Sequence, residues 1–204
     1  MSEPKIEVKF GEWIQRGFDL YKNNFLVLLA ATLLATVIGV VTSGILSGPM
    51  FAGVILIALG LLDKKEPRPD IGTVFKGFDY FLNAFLFFLV WGGLALLVSL
   101  LMGWAVKIYI APLLVSAVHL VLRTFLIFGL FLIVDRKMDF WPASLASIKR
   151  VKSNFWPLLA FVIIVELIGA LGLIACGVGV IITLPITICC LAVAYRAVFA
   201  PEAA

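Results

Sequence analysis

The amino-acid sequence predicts an all-α integral membrane protein with six transmembrane helices. These are expected as three parallel helical-hairpin repeats, each preceded by an interfacial amphipathic helix. Three observations predict this fold class: an extreme apolar composition, apolar runs of spanning length, and short motifs that recur along the chain. Of 204 residues, 63% are hydrophobic and 14% charged, with a mean hydropathy of +1.16. A soluble domain is about half apolar and about a quarter charged. The excess apolar surface here needs lipid to cover it. The length suits one membrane domain, residues 1–204, with no second soluble one.

The apolar runs lie at roughly 25–43, 45–62, 84–104, 110–134, 155–175 and 178–199. Each is near the ~20 residues that cross about 30 Å of hydrocarbon. The first begins only at Phe25, follows a charged stretch and outruns the apolar core of a secretory signal. It is therefore expected to stay in the mature protein as a membrane helix. The second is interrupted at its start by Gly48 and Pro49, and fits either a full span or a re-entrant segment. Residues 43–49, 103–112 and 177–179 join odd spans to even ones; their Gly and Pro residues allow tight reversals. Lys107 is the only basic residue in those joints.

Positive charge gathers on the other side. Lys5, Lys9, Arg16 and Lys22 precede the first span, and Lys64, Lys65, Arg68 and Lys76 lie between the second and third. Arg136, Lys137, Lys149, Arg150 and Lys152 lie between the fourth and fifth. The positive-inside rule then puts both termini and both long loops in the cytoplasm. The formal charge is +4 and the pI about 9.1. Because the basic residues are blocks between apolar runs, they read as orientation signals rather than as a nucleic-acid surface.

Each basic stretch carries an amphipathic pattern. In the first, Phe10, Trp13, Ile14, Gly17, Phe18 and Tyr21 recur at helical spacing, opposite Lys9, Glu12, Arg16, Asp19 and Lys22. In the second, Ile71, Val74, Phe75, Phe78, Phe81 and Leu82 form the stripe, with Asp70 as the expected N-cap. The third runs from Pro142, with Trp141, Leu145, Ile148 and Val151 as its stripe and Arg150 opposite. Such helices beside a span lie in the interface plane. They serve either as orienting anchors or as a surface that senses lipid or docks a partner.

The recurring motifs define the repeat. Residues 17–25 match 77–85 at five of nine positions, and 22–30 match 152–160 at six of nine. The shared Lys, Gly-Phe-Asp and Asn-Phe residues are more telling than the apolar identities. The units fall at about 8–62, 70–134 and 139–199. Two spans per unit make the repeats parallel rather than inverted. Asn24, Asn83 and Asn154 mark the junctions, where an amide can satisfy backbone groups freed at a bend.

Few polar residues fall inside the spans. Arg123 lies 11 residues from Val134 in the fourth span, and Glu166 lies 11 from Phe155 in the fifth. At ~1.5 Å per residue both are roughly 16 Å deep. A charge at that depth is costly unless paired, so an Arg123–Glu166 contact is expected. His119 lies one turn from Arg123 on the same face, with Tyr109 and Thr124 elsewhere on that helix. The cluster is either an ion pair that fixes helix register or a polar site for a proton, an ion or a lipid headgroup. In the first span Ala31, Ala35, Gly39 and Ser43 recur every four residues. This small-residue stripe suits close helix packing, within the chain or against a second copy.

Other chemistry is not signalled. Cys176, Cys189 and Cys190 lack zinc-ligand spacing and a nearby His, and read as small apolar residues. No phosphate loop, HExxH or GxSxG motif is present, and no nucleophile–base pair can be assembled. No cofactor or metal is implied.

Residues 45–53, a basic loop, and then Val74-Phe75-Lys76-Gly77-Phe78 resemble a broad set of uncharacterised bacterial multi-pass membrane proteins. These include proteins similar to the membrane domain attached to some glycerophosphodiester phosphodiesterases. The shared pattern is a Gly-Pro-Leu turn with a following Gly, then an interfacial Leu-Phe-x-Gly-Phe helix; Met50 stands where Leu is frequent. The similarity covers about residues 10–90. The phosphodiesterase catalytic domain is absent, so the resemblance transfers no activity and no site residue. It implies a bacterial cytoplasmic (inner) membrane protein.

Two functions fit. One is a non-enzymatic protein that organises lipid or supports a membrane complex, with membrane lipids, a homo-oligomer or another membrane protein as partners. The other is a small channel or transporter with a polar site at His119, Arg123 and Glu166. A transport path needs a cavity reaching Glu166, whereas a scaffold is sealed there.

Overall fold

A computed structural model describes residues 8–105, 111–174 and 178–199. Every regular element among them is helical. The order is α1 (Phe10–Asn23), α2 (Phe25–Val41), α3 (Ser47–Leu62), a 3-10 helix (Ile71–Tyr80), α4 (Phe81–Ala105) and α5 (Ala111–Leu126). Then come α6 (Gly129–Arg136), α7 (Phe140–Ser153), α8 (Phe155–Ile174) and α9 (Val178–Phe199). Four helical stretches are long and apolar enough to cross a membrane: Ile71–Met102, Pro112–Arg136, Phe155–Gly172 and Gly179–Phe199. The pair α1 and α2, bent by 92°, adds a fifth candidate. The protein is a membrane-embedded helical bundle with four to five such helices. The expected six spans would also need α2 and α3, which have only 17 and 16 residues. At ~1.5 Å per residue these reach about 25 Å, short of the ~30 Å hydrocarbon core.

α3 is the centre of the molecule. Twelve of its 16 residues are buried, including Met50, Val54, Ile57 and Ala58. A helix apolar all round is buried all round, here by protein more than by lipid. Gly48 and Pro49, which interrupt the apolar run, fall in its first turn. A proline there removes no helical hydrogen bond. The glycines admit close neighbours: a Cβ on Gly53 would overlap the Val74 carbonyl, and one on Gly77 the Pro49 carbonyl. The 3-10 helix therefore lies backbone-to-backbone on α3.

The reversal between α2 and α3 is as tight as expected. Ser43 and Gly44 adopt left-handed φ values of 51° and 87°. Their N–H groups return to the carbonyls of Val40 (3.0 Å) and Gly39 (2.8 Å). That is the Schellman closure of a helix. The other two expected turns involve residues 106–110 and 175–177, outside the described residues, as are Lys107, Tyr109 and Cys176.

The second and third amphipathic helices leave most of their apolar stripes exposed and pack inward mainly on small residues. In the 3-10 helix Asp70 caps as expected: Oδ1 accepts from Thr73 N at 3.0 Å, and Thr73 Oγ1 accepts from Asp70 N at 3.3 Å. However, only Val74 and Gly77 are buried, whereas Ile71, Phe75, Phe78, Phe81 and Leu82 are exposed. Three residues per turn, rather than 3.6, aligns positions three apart. In α7 the buried face is Ala143, Ser144, Ser147 and Val151, and Trp141 and Leu145 point outward. Small residues face protein and bulky ones face outward, the arrangement expected when the surroundings are lipid. α1 keeps part of its expected stripe: Trp13, Gly17 and Tyr21 are buried, together with Leu20, against α9 and α8. A Cβ on Gly17 would meet the Cys190 backbone at 2.7 Å. Cys189 and Cys190 are free thiols buried in α9, filling space as small apolar groups.

Candidate functional site

Arg123 on α5 and Glu166 on α8 meet, with Nη1 3.0 Å from Oε1. The pair is not sealed: the side chains are 69% and 41% exposed. Both line a cavity of about 480 Å³. Its other walls are mostly apolar, with Phe87, Phe88 and Trp91 from α4, Leu126 from α5, Phe131 from α6 and Leu191 from α9. His119 also lines it but takes a different partner. Its Nε2 lies 3.0 Å from both the Ala95 carbonyl and Ser99 Oγ on α4. A carbonyl only accepts, so Nε2 carries the proton and fastens α5 to α4. Of the expected His119, Arg123 and Glu166 cluster, two residues are thus in contact and the third stands on the same wall. Thr124 is buried, with its hydroxyl donating to the Leu120 carbonyl at 2.7 Å.

The fourth apolar run is broken beside this cavity. α5 ends at Leu126 and α6 begins at Gly129. Ser147 from α7 bridges the gap: its hydroxyl donates to the Phe125 carbonyl (2.7 Å) and accepts from Phe128 N (3.3 Å). Ser144 receives a hydrogen bond from Trp91 Nε1 at 2.9 Å, and Trp91 stacks on Trp141. α7 therefore supports the cavity wall instead of lying free at the interface. In the sequence Ser144 and Ser147 each stand one position before a residue of the expected stripe, with no sign of a partner.

The junction asparagines divide. Asn24 and Asn154 have nearly the same backbone, φ −132°, ψ 29° and φ −134°, ψ 37°. Each returns its N–H to the carbonyl three residues back, at 3.1 and 2.9 Å. The Asn24 amide donates to the Leu20 carbonyl at 2.8 Å, the job expected of it, while its oxygen accepts from Arg68. Asn83 is not at a bend. It lies in the first turn of α4, where its Oδ1 accepts from Phe140 N (3.2 Å) and its Nδ2 donates to Asp139 (3.1 Å). It thus secures the start of α7. The reason is visible in the motif: residues 17–25 on 77–85 align Asn83 with Asn23, not with Asn24.

The small-residue stripe is used within the chain. Ala31 and Ala35 are fully buried, and a Cβ on Gly39 would lie 2.7 Å from Ser47 Oγ on α3. Ser43 leaves the stripe, exposed in the left-handed turn.

A second polar centre was not anticipated. Arg196, in the last turn of α9, forks between Asp63 after α3 and Asp135 in α6. Nη2 and Nε reach the Asp63 oxygens at 2.6 and 3.0 Å, and Nη1 and Nη2 reach those of Asp135 at 2.7 and 2.8 Å. Tyr195 donates to Asp135 at 2.8 Å. Asp135 is thus tied to two residues of α9 instead of standing free beside Arg136 and Lys137. A signal was available: Asp63-Lys64-Lys65 and Asp135-Arg136-Lys137 close the second and fourth apolar runs alike. Among the described residues no group of three or more His, Cys, Asp or Glu is arranged to hold a metal ion.

Compared with protein-family models, with curated proteins and with solved structures, the chain gives no match to any of the three, and its site stands on its own geometry.

Proposed function

We propose that the chain is a non-enzymatic bacterial inner-membrane protein that holds a membrane lipid in the cavity between α4, α5, α8 and α9. The observation that carries this is the uncovered Arg123–Glu166 pair in an apolar cavity of about 480 Å³. An ion pair at membrane depth needs polar cover. A lipid headgroup supplies it while acyl chains line the aromatic and aliphatic walls. In this reading α2 and α3 complete six spans in three parallel units, with both termini cytoplasmic. The three amphipathic helices support an additional role in organising lipid or docking a membrane partner.

The test is lipid retention by the purified full chain. Arg123→Gln/Glu166→Gln removes both charges and leaves neither orphaned. We expect this variant to retain about one phospholipid fewer per chain, with an unchanged melting temperature. Wild-type retention by the variant would exclude the cavity as the lipid site.

One observation favours a second reading, a small transporter: the cavity reaches Glu166 instead of being closed there. Ion or solute flux in proteoliposomes, abolished by Glu166→Gln, would select it over the lipid-holding role.

A further inference from the structure

A second pocket, of about 510 Å³, opens where α1, the end of α3 and the following loop meet. Arg16, Lys64, Lys65 and Arg68 line it together with two carboxylates, Asp19 and Glu66. The formal balance is four positive charges against two negative. We propose that this pocket binds the phosphate-bearing headgroup of an anionic phospholipid at the membrane surface. The proposal is independent of the intramembrane cavity.

The construction of the pocket argues for a ligand. Lys65 N returns to the Gly60 carbonyl at 2.9 Å and Lys64 N to Leu61 at 3.3 Å, closing α3 with a Schellman motif. The helix-end carbonyls that would repel an anion are thereby occupied. Lys64 takes the left-handed position of that motif, φ 52°, where glycine is strongly preferred. A lysine there tolerates backbone strain and keeps its ammonium at the pocket. Lys64, Lys65 and Arg68 are all exposed, and no ion pair involves Lys64 or Lys65 among the described residues. Arg68 is held by its hydrogen bond to Asn24, which leaves other guanidinium donors for a phosphate.

The surroundings favour a lipid over a free anion. Asn24, also in the lining, is the corner where α1 turns by 92° into α2. α2 leaves that corner with Phe25 and Leu26 exposed at 42% and 75%. Acyl chains can follow this apolar helix while the headgroup stays at the corner. Basic pockets between helices on the positive side of a membrane protein suit such headgroups.

Native mass spectrometry of the full chain in detergent tests this, with phosphatidylglycerol, phosphatidylcholine or sodium phosphate added. We expect phosphatidylglycerol to bind at least tenfold more tightly than phosphatidylcholine. Lys64→Gly/Lys65→Gln should weaken phosphatidylglycerol about 25-fold, roughly fivefold per charge, and leave phosphatidylcholine unchanged. Lys64→Gly relieves the strained backbone, so the loss would not come from a weakened fold. If the double variant does not fold, Arg16→Gln/Arg68→Gln, one residue on α1 and one farther along the loop, reads the same loss. Arg123→Gln/Glu166→Gln should keep this binding, which separates it from the cavity. Equal binding of the two lipids, wild-type affinity in the lysine variant, or displacement of the lipid by millimolar phosphate would each overturn the proposal.

Discussion

Arg196 joins three helix ends through one side chain, with carboxylates on both sides of its guanidinium. Removing it leaves Asp63 and Asp135 without their hydrogen-bonded cation. With the groups still partly exposed, Arg196→Ala is expected to destabilise by about 1–3 kcal/mol, below the loss for a fully buried pair. Thermal unfolding in detergent measures this, and Arg196→Lys should recover only part, because lysine lacks the planar fork. Arg123 and Glu166 offer a cleaner exchange. Each single charge reversal should lower the melting temperature, and Arg123→Glu/Glu166→Arg should restore much of it. A double variant no better than either single one would mean the contact carries no coupling. At Asp70, hydrogen bonds from the Thr73 hydroxyl and N–H hold the carboxyl below its ordinary pKa. A depressed folded value makes this cap fully effective above the ordinary carboxylate range and lost as pH falls through the folded value. The protection factor of the Thr73 amide should therefore be higher at pH 7 than in acid, and Asp70→Ala should remove that pH dependence.

At the scale of elements, the break between α5 and α6 and its repair by α7 belong together. Ser147 satisfies one carbonyl and one N–H that a continuous helix would have paired internally. Ser147→Ala leaves both unmet in a buried place, an expected loss of about 1–3 kcal/mol. Ser147→Thr should retain more stability than Ser147→Ala if the hydroxyl is what matters, and a comparison of their melting temperatures decides. Local periodicity revealed the amphipathic elements but not which face each buries. It assumed 3.6 residues per turn for a segment that winds at three, and it did not show that small residues would make the contacts with protein. Beside lipid, Trp141 and Leu145 have as good a solvent outside as inside, whereas Ala143 and Ser147 allow backbones to approach.

Across the whole molecule, the polar groups divide between two levels. Arg196, Asp63 and Asp135 tie the ends of α3, α6 and α9, while Arg123 and Glu166 stand farther along α5 and α8. A six-span topology makes a definite prediction for cysteine labelling. Glu66→Cys and Lys149→Cys should react with an impermeant thiol reagent from the cytoplasmic side, and Ile45→Cys only from the opposite side. Reaction of Ile45→Cys from the cytoplasmic side would mean that α2 and α3 form a re-entrant hairpin.

The sequence by itself determined the solvent and the class of fold: so many apolar residues in runs of this length require helices in a bilayer, because lipid cannot satisfy open backbone. It also determined the Arg123–Glu166 contact, since two neighbouring antiparallel helices and a shared depth leave an isolated charge no better partner. Only the tertiary structure decided that α3 is the core, that Asn83 caps α7, and that Arg196 meets Asp63 across 133 residues of chain. Those outcomes depend on how helices distant in sequence cross and how closely their glycines let them approach. No periodicity within a single helix carries that information.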